Sequence, residues 1–137
     1  MNSLVVPVYR NEASIPDLLD AIETQNKELD GQLQAVFVVD GSPDASLELL
    51  ARALPDRPFR SVLVSLSRNV GSFAAIKKGL EEADGPYFAV MAADLQEPPE
   101  LVSSFFRILR DEPFDVVVGT RAGRDDPVAS KGSARLF

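Results

Sequence analysis

The 137-residue chain contains no cysteine and no histidine. The absence of cysteine excludes disulfides and thiolate nucleophiles, and the absence of histidine excludes imidazole-assisted hydrolysis and the usual zinc-ligand sets. Any metal ion bound by this sequence must therefore be a hard cation on oxygen ligands, such as Mg²⁺ or Mn²⁺. A chain without disulfides is also typical of a reducing compartment.

Positive charge and long apolar runs are scarce as well. The 14 basic and 21 acidic residues give a formal net charge of −7, which disfavours contact with a phosphate backbone. Nucleic acid is therefore not expected as a partner. No apolar run reaches the length of a transmembrane helix. A chain of this length can bury a substantial core, so we expect one globular unit.

The most informative stretch is the apolar run at 87–93, which ends abruptly at Asp94. The run follows Gly85-Pro86 and is too short for a core helix, so it predicts a strand buried on both faces. Pro98-Pro99 favours the first turn of a following helix. A carboxylate is thus placed at the carboxyl end of a strand, where open α/β sheets bind ligands. A simple helix cap is the alternative for Asp94.

Strands and helices alternate along the rest of the chain. Strands are predicted at 3–9, 35–39, 61–66, 87–93 and 114–119. An amphipathic helix is predicted from residue 15, with an apolar stripe at 15–22 and a close at Asp30-Gly31. Further helices are predicted at 47–54, 72–83 and 99–110. This alternation predicts a Rossmann-like α/β domain at 1–121, with a mostly parallel sheet and helices on both faces. Residues 122–137 lose the pattern and are interpreted as a basic C-terminal segment.

Polar residues follow the carboxyl end of every predicted strand. They are Glu12, Asp40, Arg68 with Asn69, Asp94 with Gln96, and Thr120 with Arg121. Loops are polar in general, which accounts for part of this pattern. The return turns, however, carry mainly glycine, proline and simple charges. One edge of the sheet is therefore expected to bind a ligand that is both phosphorylated and hydroxylated.

Three common kinds of α/β ligand site are not supported. No Gly-x-Gly-x-x-Gly follows the first strand, and the chain has no P-loop, so dinucleotide and P-loop nucleotide binding are poor interpretations. A phosphoacceptor receiver domain would need an aspartate after the third strand and a lysine after the fifth. Those places hold Ser67 and Arg121.

Four segments at the strand ends carry a family resemblance. They are PVYRNE at 7–12, VDGSPD at 39–44, LSRNVG at 66–71 and DLQEPPE at 94–100. In this order they resemble family 2 glycosyltransferases with the GT-A fold, and within that family the polyprenyl- and dolichyl-phosphate sugar transferases. The resemblance spans essentially the whole chain. It implies a Rossmann-like nucleotide-diphospho-sugar transferase fold.

The resemblance also implies which residues bind the donor nucleotide. They follow the first, second and fourth strands: Pro7, Tyr9, Glu12, Val38, Asp40, Ala92 and Ala93. Arg10 is one residue more than the shorter family form contains. Val39 stands where the family has the first aspartate of a pair, and Asp40 matches the member that contacts the base.

The family's metal motif, Asp-Ala-Asp, corresponds to Ala92-Ala93-Asp94 in this chain. The resemblance implies that Asp94 binds Mg²⁺ or Mn²⁺, and that Asp94 and Gln96 are catalytic. The first aspartate is replaced by Ala92, which is expected to weaken the metal site, and Glu97 is a candidate for compensation. Magnesium commonly uses one or two protein carboxylates together with phosphate oxygens and water.

The C-terminal part of the chain is implicated in phosphate binding. Gly119-Thr120-Arg121 resembles the family's Gly-Ser/Thr-Arg, so Arg121 is predicted as a catalytic residue that pairs with phosphate. Lys131, Ser133 and Arg135 fall where the lipid-phosphate branch approaches its acceptor phosphate. A surface arginine and a solvated basic tail are the alternatives.

The resemblance implies an inverting glycosyltransferase that moves a sugar from a nucleotide-diphosphate sugar to a polyprenyl-phosphate or glycan acceptor. The alternative is a degenerate or truncated module that binds nucleotide sugar without turnover. Family members continue beyond the position of Phe137, so the chain is either part of a longer protein or a natural short form. In a longer protein, we expect a location at the inner, cytoplasmic face of a membrane, with association through the C-terminal region. A second copy covering the sheet edge would give a homo-oligomer.

Overall fold

The computed structural model describes residues 1–119, and the predicted alternation of strands and helices is confirmed there. The strands are β1 (Asn2–Val8), β2 (Leu33–Asp40), β3 (Arg60–Leu66) and β4 (Tyr87–Val90). The helices are α1 (Ile15–Glu28), α2 (Ser46–Ala53), α3 (Ser72–Glu81) and α4 (Leu101–Asp111). A short 3-10 turn, Leu54–Asp56, follows α2.

The four strands form one parallel sheet in the order β3-β2-β1-β4. At the centre of the sheet, Val5 of β1 pairs with Val36 of β2 on one side and Val90 of β4 on the other. Since every strand runs in the same direction, all four carboxyl ends meet at one edge. This edge is where the chain places its polar strand-end residues.

Helices cover both faces of the sheet unequally. Alternate residues of β1, including Leu4 and Val6, pack with α1, α2 and α4 in the larger core cluster. Val5 faces the other way and packs with Val38 and Ala75 of α3 in a smaller cluster. Successive side chains of β1 point to opposite faces of the sheet, so its single apolar run contributes to two core clusters.

Helix α3 lies unusually close to the sheet at Gly79. A Cβ atom at this position would lie 2.4 Å from Cγ1 of Val5 and 3.1 Å from Cγ2 of Val38. Glycine therefore permits the helix to approach the central strands. This contact sets the distance between α3 and the sheet. The first turn of α3 borders the carboxyl edge of the sheet.

Strand β4 is shorter and more exposed than its sequence predicts. It ends at Val90 rather than continuing to residue 93, and Phe88 and Val90 are 54% and 45% exposed. The prediction of burial on both faces is wrong because α4 covers one face of β4, while α3 packs against β1 and β2 instead. Tyr87 and Ala89 pack against the larger core cluster.

The predicted fifth strand at 114–119 does not form in the part of the chain that the structure describes. Residues 115–119 line a cleft beside β4, together with Phe105 and Leu109 of α4, without strand hydrogen bonds. Val116 and Val118 are each 47% exposed. Apolar content alone indicated a strand here, but a strand also needs an aligned backbone partner.

Candidate functional site

The carboxyl ends of all four strands border one open cleft of roughly 320 Å³, which we call the strand-end cleft. Its lining is contributed by the segments that follow β1, β2, β3 and β4. The lining residues are Pro7, Val8, Tyr9, Asn11, Asp40, Asn69, Gly71, Ser72, Ala92, Ala93 and Asp94. The parallel sheet therefore gathers residues that are up to 87 positions apart in sequence, from Pro7 to Asp94.

Asp94 lies in the turn directly after β4 with an exposed side chain. Its Oδ1 accepts a hydrogen bond from the backbone N–H of Gln96 at 3.2 Å, which closes a tight turn. Leu95 between them has a φ of 59°, in the left-handed region that residues with a Cβ seldom adopt. This turn holds the Asp94 carboxylate at the mouth of the strand-end cleft.

Asp40, at the end of β2, is only 3% exposed, and its carboxylate is surrounded by donors from the loop after β3. Oδ1 accepts from the N–H of Val70 at 2.8 Å, and Oδ2 accepts from the N–H of Gly71 at 3.0 Å. The Nδ2 of Asn69 donates to the same Oδ2 and to the Asp40 carbonyl oxygen, both at 3.1 Å. Asp40 thereby fastens the β3–α3 loop to β2.

Glu12 and Asp44 exchange hydrogen bonds between the loops that follow β1 and β2. The Glu12 carboxylate accepts from the N–H of Ala45 at 3.1 Å, and the Asp44 Oδ2 accepts from the N–H of Glu12 at 3.2 Å. Asp44 Oδ1 also accepts from the Ser42 hydroxyl and from the N–H of Ser46. The two loops are thus joined at the start of α2.

The pKa of the Asp44 carboxyl is strongly lowered from its ordinary value. Burial alone would raise its pKa, but hydrogen bonds from Ser42, Ser46 and the Glu12 N–H outweigh this and lower it to about 2. Asp44 was not predicted as a site residue. Its position shortly before a helix, with Ser42 and Ser46 two residues away on either side, is a capping signal that could have revealed it.

Tyr9, which lines the strand-end cleft, and Arg10 are exposed neighbours in the loop after β1. The Arg10 guanidinium lies 5.3 Å from the centre of the Tyr9 ring, in cation–π geometry. Arg10 has a φ of 55°, and its N–H donates to the Ser42 hydroxyl at 2.8 Å. The additional residue in this loop is therefore accommodated by a left-handed turn that the β2–α2 loop supports.

The structure brings together six of the residues predicted for nucleotide or metal binding. They are Pro7, Tyr9, Asp40, Ala92, Ala93 and Asp94, which all line the strand-end cleft. Two others predicted for nucleotide binding, Val38 and Glu12, and the predicted catalytic residue Gln96 lie apart from it. Val38 is fully buried beneath α3, Glu12 joins the two loops described above, and Gln96 is exposed just beyond the Asp94 turn.

Several predicted residues lie outside residues 1–119. They are Arg121, Lys131, Ser133 and Arg135, together with the domain boundary at 121 and the segment 122–137. Asn11, Asn69, Gly71 and Ser72 line the strand-end cleft but were not assigned to the site. They follow β1 and β3, whose carboxyl ends were predicted to carry polar residues at the ligand-binding edge. The same reasoning could have identified them as site residues.

The predicted metal site can be compared with the carboxylates present. Within residues 1–119, no group of three or more acidic, histidine or cysteine side chains is arranged to hold a metal ion. Ala92, in the place of a family aspartate, lines the cleft near Asp94 without offering a ligand. The residues present therefore fit a cation held by one protein carboxylate and completed by ligand oxygens and water.

None of the helices in the described part of the chain is both long and apolar enough to cross a membrane.

Comparison with known proteins identifies the class. Residues 3–137 match the model of glycosyl transferase family 2, and the chain belongs to that family. The solved structures that resemble it include the mannosyltransferase PcManGT from Pyrobaculum calidifontis, with a TM-score of 0.78, 24% identity and coverage of 90% of this chain and 36% of that one. TarS from S. aureus gives a TM-score of 0.70 at 21% identity, covering 92% and 38%. The predicted α/β GT-A fold is confirmed.

Curated relatives are more similar in sequence. The undecaprenyl-phosphate 4-deoxy-4-formamido-L-arabinose transferase of Pseudomonas syringae pv. syringae is 38% identical over 137 residues, covering 98% of this chain and 40% of the relative. The corresponding Pseudomonas fluorescens protein is 40% identical over 137 residues, covering 98% and 39%. The chain thus spans about two fifths of the length of these relatives.

Proposed function

We propose that this chain forms the donor-binding part of an inverting glycosyltransferase that transfers a sugar from a nucleotide-diphosphate sugar to a polyprenyl phosphate. The observation that carries the proposal is the strand-end cleft, where Asp94 and polar residues from all four strand ends meet at one edge of a family 2 fold. Such an edge is the usual ligand site of an open parallel sheet.

The donor and acceptor classes are supported by the relatives and neighbours. The curated relatives are undecaprenyl-phosphate sugar transferases, and the structural neighbours include TarS in complex with UDP-GlcNAc and PcManGT in complex with GDP-Man and Mn²⁺. An open cleft that ends in the Asp94 carboxylate suits a sugar linked to a diphosphate. The proposal assigns this chain to the same substrate classes without choosing the sugar or the base.

A divalent cation, Mg²⁺ or Mn²⁺, would be held by Asp94. When bound, such an ion neutralises the charge that develops on a diphosphate leaving group. The chain's own contribution is to hold the Asp94 carboxylate at the cleft mouth through the Gln96 N–H and to leave one carboxylate oxygen available. With Ala92 nearby instead of a second carboxylate, we expect weak and phosphate-dependent metal binding.

The proposed reaction does not require a basic side chain to activate the acceptor. A phosphate monoester is already ionised at neutral pH, so its oxygen can attack the sugar carbon directly, which suits a chain without histidine. Arg121, Lys131, Ser133 and Arg135 remain proposed phosphate-binding residues. In the whole protein, we propose an acceptor at the cytoplasmic face of a membrane.

Ala92 also favours a second candidate, a module that binds nucleotide sugar without turning it over. Loss of one of two metal carboxylates lowers the stabilisation of a diphosphate leaving group more than it lowers simple nucleotide binding. The two candidates share the strand-end cleft and differ in whether a sugar–phosphate bond is broken. Release of free sugar or transfer that disappears in Asp94→Asn would favour the enzyme.

The proposal is tested by calorimetric titration of the 137-residue chain with UDP, GDP and their sugars, with and without Mg²⁺ or Mn²⁺. We expect metal-dependent binding of one nucleotide, weakened in Asp94→Asn because this change neutralises the one carboxylate among the described cleft residues that is free to meet a cation. Asp56→Asn makes the same chemical change at an exposed site outside the strand-end cleft and serves as the matched control. Absence of binding by every nucleotide would contradict the proposal.

A further inference from the structure

We propose that two copies of this chain associate through β3, the outermost strand on one side of the sheet. The free side of β3 would pair antiparallel with the same strand of a second copy, about a two-fold axis at Leu63. The four strands of each copy would then form one continuous sheet. This inference goes beyond the proposed function and does not depend on it, since no residue of β3 lines the strand-end cleft.

Strand β3 is open to another chain on one side. Its inner side pairs with β2, and within residues 1–119 no strand pairs with its outer side. The other end of the sheet is more crowded, because α4 and residues 115–119 border the cleft beside β4. Of the two edges in the described part of the chain, β3 is therefore the more accessible to a further strand.

The edge of β3 lacks the features that usually prevent association. Edge strands of soluble proteins are commonly short or carry a proline, a bulge or a central charge. Strand β3 is seven residues long, and its register with β2 is unbroken from Arg60 to Leu66. It contains no proline, and its only charged residue is Arg60, at the first position. The unpaired backbone groups of β3 are thus a template for another strand.

The sequence of β3 reads the same in both directions about Leu63. Residues 61–65 are Ser-Val-Leu-Val-Ser. In an antiparallel pair centred on Leu63, this residue lies opposite the same leucine of the second copy. Ser61 then lies opposite Ser65 of the second copy, and Val62 lies opposite Val64. Each side chain meets its own kind, which is the self-complementarity that a closed two-fold dimer requires.

The valines of β3 are incompletely covered in one copy. Val62 and Val64 lie on the side of the sheet that carries α3, where they are partly buried against the smaller core cluster. Helix α3 packs mainly on β1 and β2, so it does not cover these two side chains fully. Pairing with a second copy would place valine against valine on this side. Cross-strand neighbours of this β-branched kind stabilise antiparallel strands.

Charges beyond the two ends of β3 are complementary in this arrangement. Asp56 is exposed before the strand, and Arg68 is exposed just after it. Antiparallel pairing would bring the position two residues after Asp56 level with Arg68 of the second copy, so these opposite charges would be neighbours. The strand itself contains no acidic residue, although the whole chain has a net charge of −7. The shared edge therefore adds no acidic charge that would repel a second copy.

The size of the contact sets its expected strength. Five residue pairs extend over about 17 Å of strand. Stable interfaces bury about 1,200–2,000 Å² in total, and smaller ones belong to transient complexes. We therefore expect a reversible dimer with a dissociation constant on the order of micromolar. Because the joined strands run antiparallel, the two strand-end clefts would open at opposite ends of the sheet and share no residues.

Sedimentation velocity of the unaltered 137-residue chain, between about 1 μM and 1 mM, is the first test. We expect a shift from monomer to dimer as the concentration rises, with no larger species, because the two-fold pairing uses up the edge of both copies. A chain that stays monomeric over the whole range would overturn the proposal. Assemblies that keep growing beyond the dimer would also overturn it, since they require a contact that does not close.

Two double variants test the pairing itself. Ser61→Lys combined with Ser65→Lys places like charges opposite each other and should raise the dissociation constant at least about tenfold. This variant lowers the net negative charge of the chain, so general repulsion would change in the other direction. Ser61→Glu combined with Ser65→Lys places opposite charges across the pair and should leave the dimer as stable as before or more stable. Equal weakening by both double variants would contradict an antiparallel pair centred on Leu63.

Ser104→Lys is the control, because Ser104 is an exposed serine on α4, away from β3. It should leave the dissociation constant unchanged, and a loss of dimer equal to that in the first double variant would count against the β3 interface. Hydrogen exchange of the unaltered chain gives a measurement that needs no variant to fold. Amides of β3 should exchange more slowly at dimer-forming concentrations than in the dilute monomer. Protection gained at β4 instead, or at neither edge, would refute the proposal.

Discussion

Ser14 lies within hydrogen-bond distance of Ala93, although 79 residues separate them in sequence. The Ser14 hydroxyl is 2.9 Å from the carbonyl oxygen of Ala93 and 3.1 Å from that of Asn11. The start of α1 is thereby linked to the turn that carries Asp94. Together with the Asp40 and Asp44 interactions, this contact joins the segments after all four strands into one connected edge.

We expect Ser14→Ala to lower the free energy of unfolding by about 1 kcal/mol, the usual net value of one partly buried hydrogen bond. The Ala93 carbonyl would lose its partner, so the Asp94 turn should also become more mobile and nucleotide affinity should fall. Urea unfolding measures the first effect and calorimetric titration the second.

Thr24→Ala is the matched control for this prediction, because the Thr24 hydroxyl donates to the Asp20 carbonyl within its own helix and to no other described residue. We expect a stability change within about 0.5 kcal/mol for this exposed helical site. Equal effects of the two substitutions would show that Ser14 has no special role in joining the segments.

Gly79→Ala should destabilise the protein by about 1–3 kcal/mol, the usual cost of overpacking a core. The sign is diagnostic, since a glycine-to-alanine change in an open helix stabilises by roughly 0.5–1 kcal/mol through backbone entropy. At Gly79, the added methyl would meet Val5 at 2.4 Å. Thermal and urea unfolding measure the change, and a gain in stability would contradict the close approach of α3.

Sequence patterns predicted the fold where hydrophobic period and turn signals agreed. The four apolar runs from β1 to β4 and the helices between them fall within a few residues of their predicted places. The wrong predictions concern the burial and length of β4 and the strand at 114–119, which both lie at one side of the sheet. Val116 and Val118 belong to an apolar, β-branched run that favours a strand, but the backbone partner that a strand requires is a tertiary property.

The site was predicted at the level of the sheet edge and less well at the level of individual side chains. Asp94 and Asp40 were found because each follows an apolar run, and parallel strands place such residues together. The hydrogen bonds of Asp40 to the β3–α3 loop could not be read from the sequence, because they join residues about 30 positions apart. Nor could the exchange between Glu12 and Asp44.

Asp44→Asn should change how stability depends on pH. The folded-state pKa of Asp44 is lowered to about 2 from 3.8, so the unfolded chain binds the proton more readily. The stabilisation from this carboxylate is therefore fully present above about pH 4 and is lost as the pH falls toward 2. Solvent screening at this partly exposed site limits it to on the order of 1 kcal/mol.

Urea unfolding at several pH values between 6 and 2.5 tests this prediction. The unaltered chain should be more stable than Asp44→Asn at pH 6, and the difference should shrink as the pH falls. Asp56→Asn is again the control for removal of an exposed acidic charge. A difference that stays constant across the whole range would contradict the lowered pKa of Asp44.

Ala92→Asp should strengthen metal-dependent nucleotide binding, by on the order of tenfold, since it adds a second carboxylate to the strand-end cleft beside Asp94. Ala92 is exposed, so the new side chain can be placed without disturbing the core. The measurement is calorimetric titration with the nucleotide that the chain binds, at several Mg²⁺ or Mn²⁺ concentrations. Ala92→Asn has the same size without the charge and should bring little gain.

An equal gain from both variants would point to a polar contact with the nucleotide, and no gain from either would contradict the view that Ala92 weakens a metal site. Without added metal, the extra negative charge of Ala92→Asp should instead weaken diphosphate binding, because like charges then meet at the cleft.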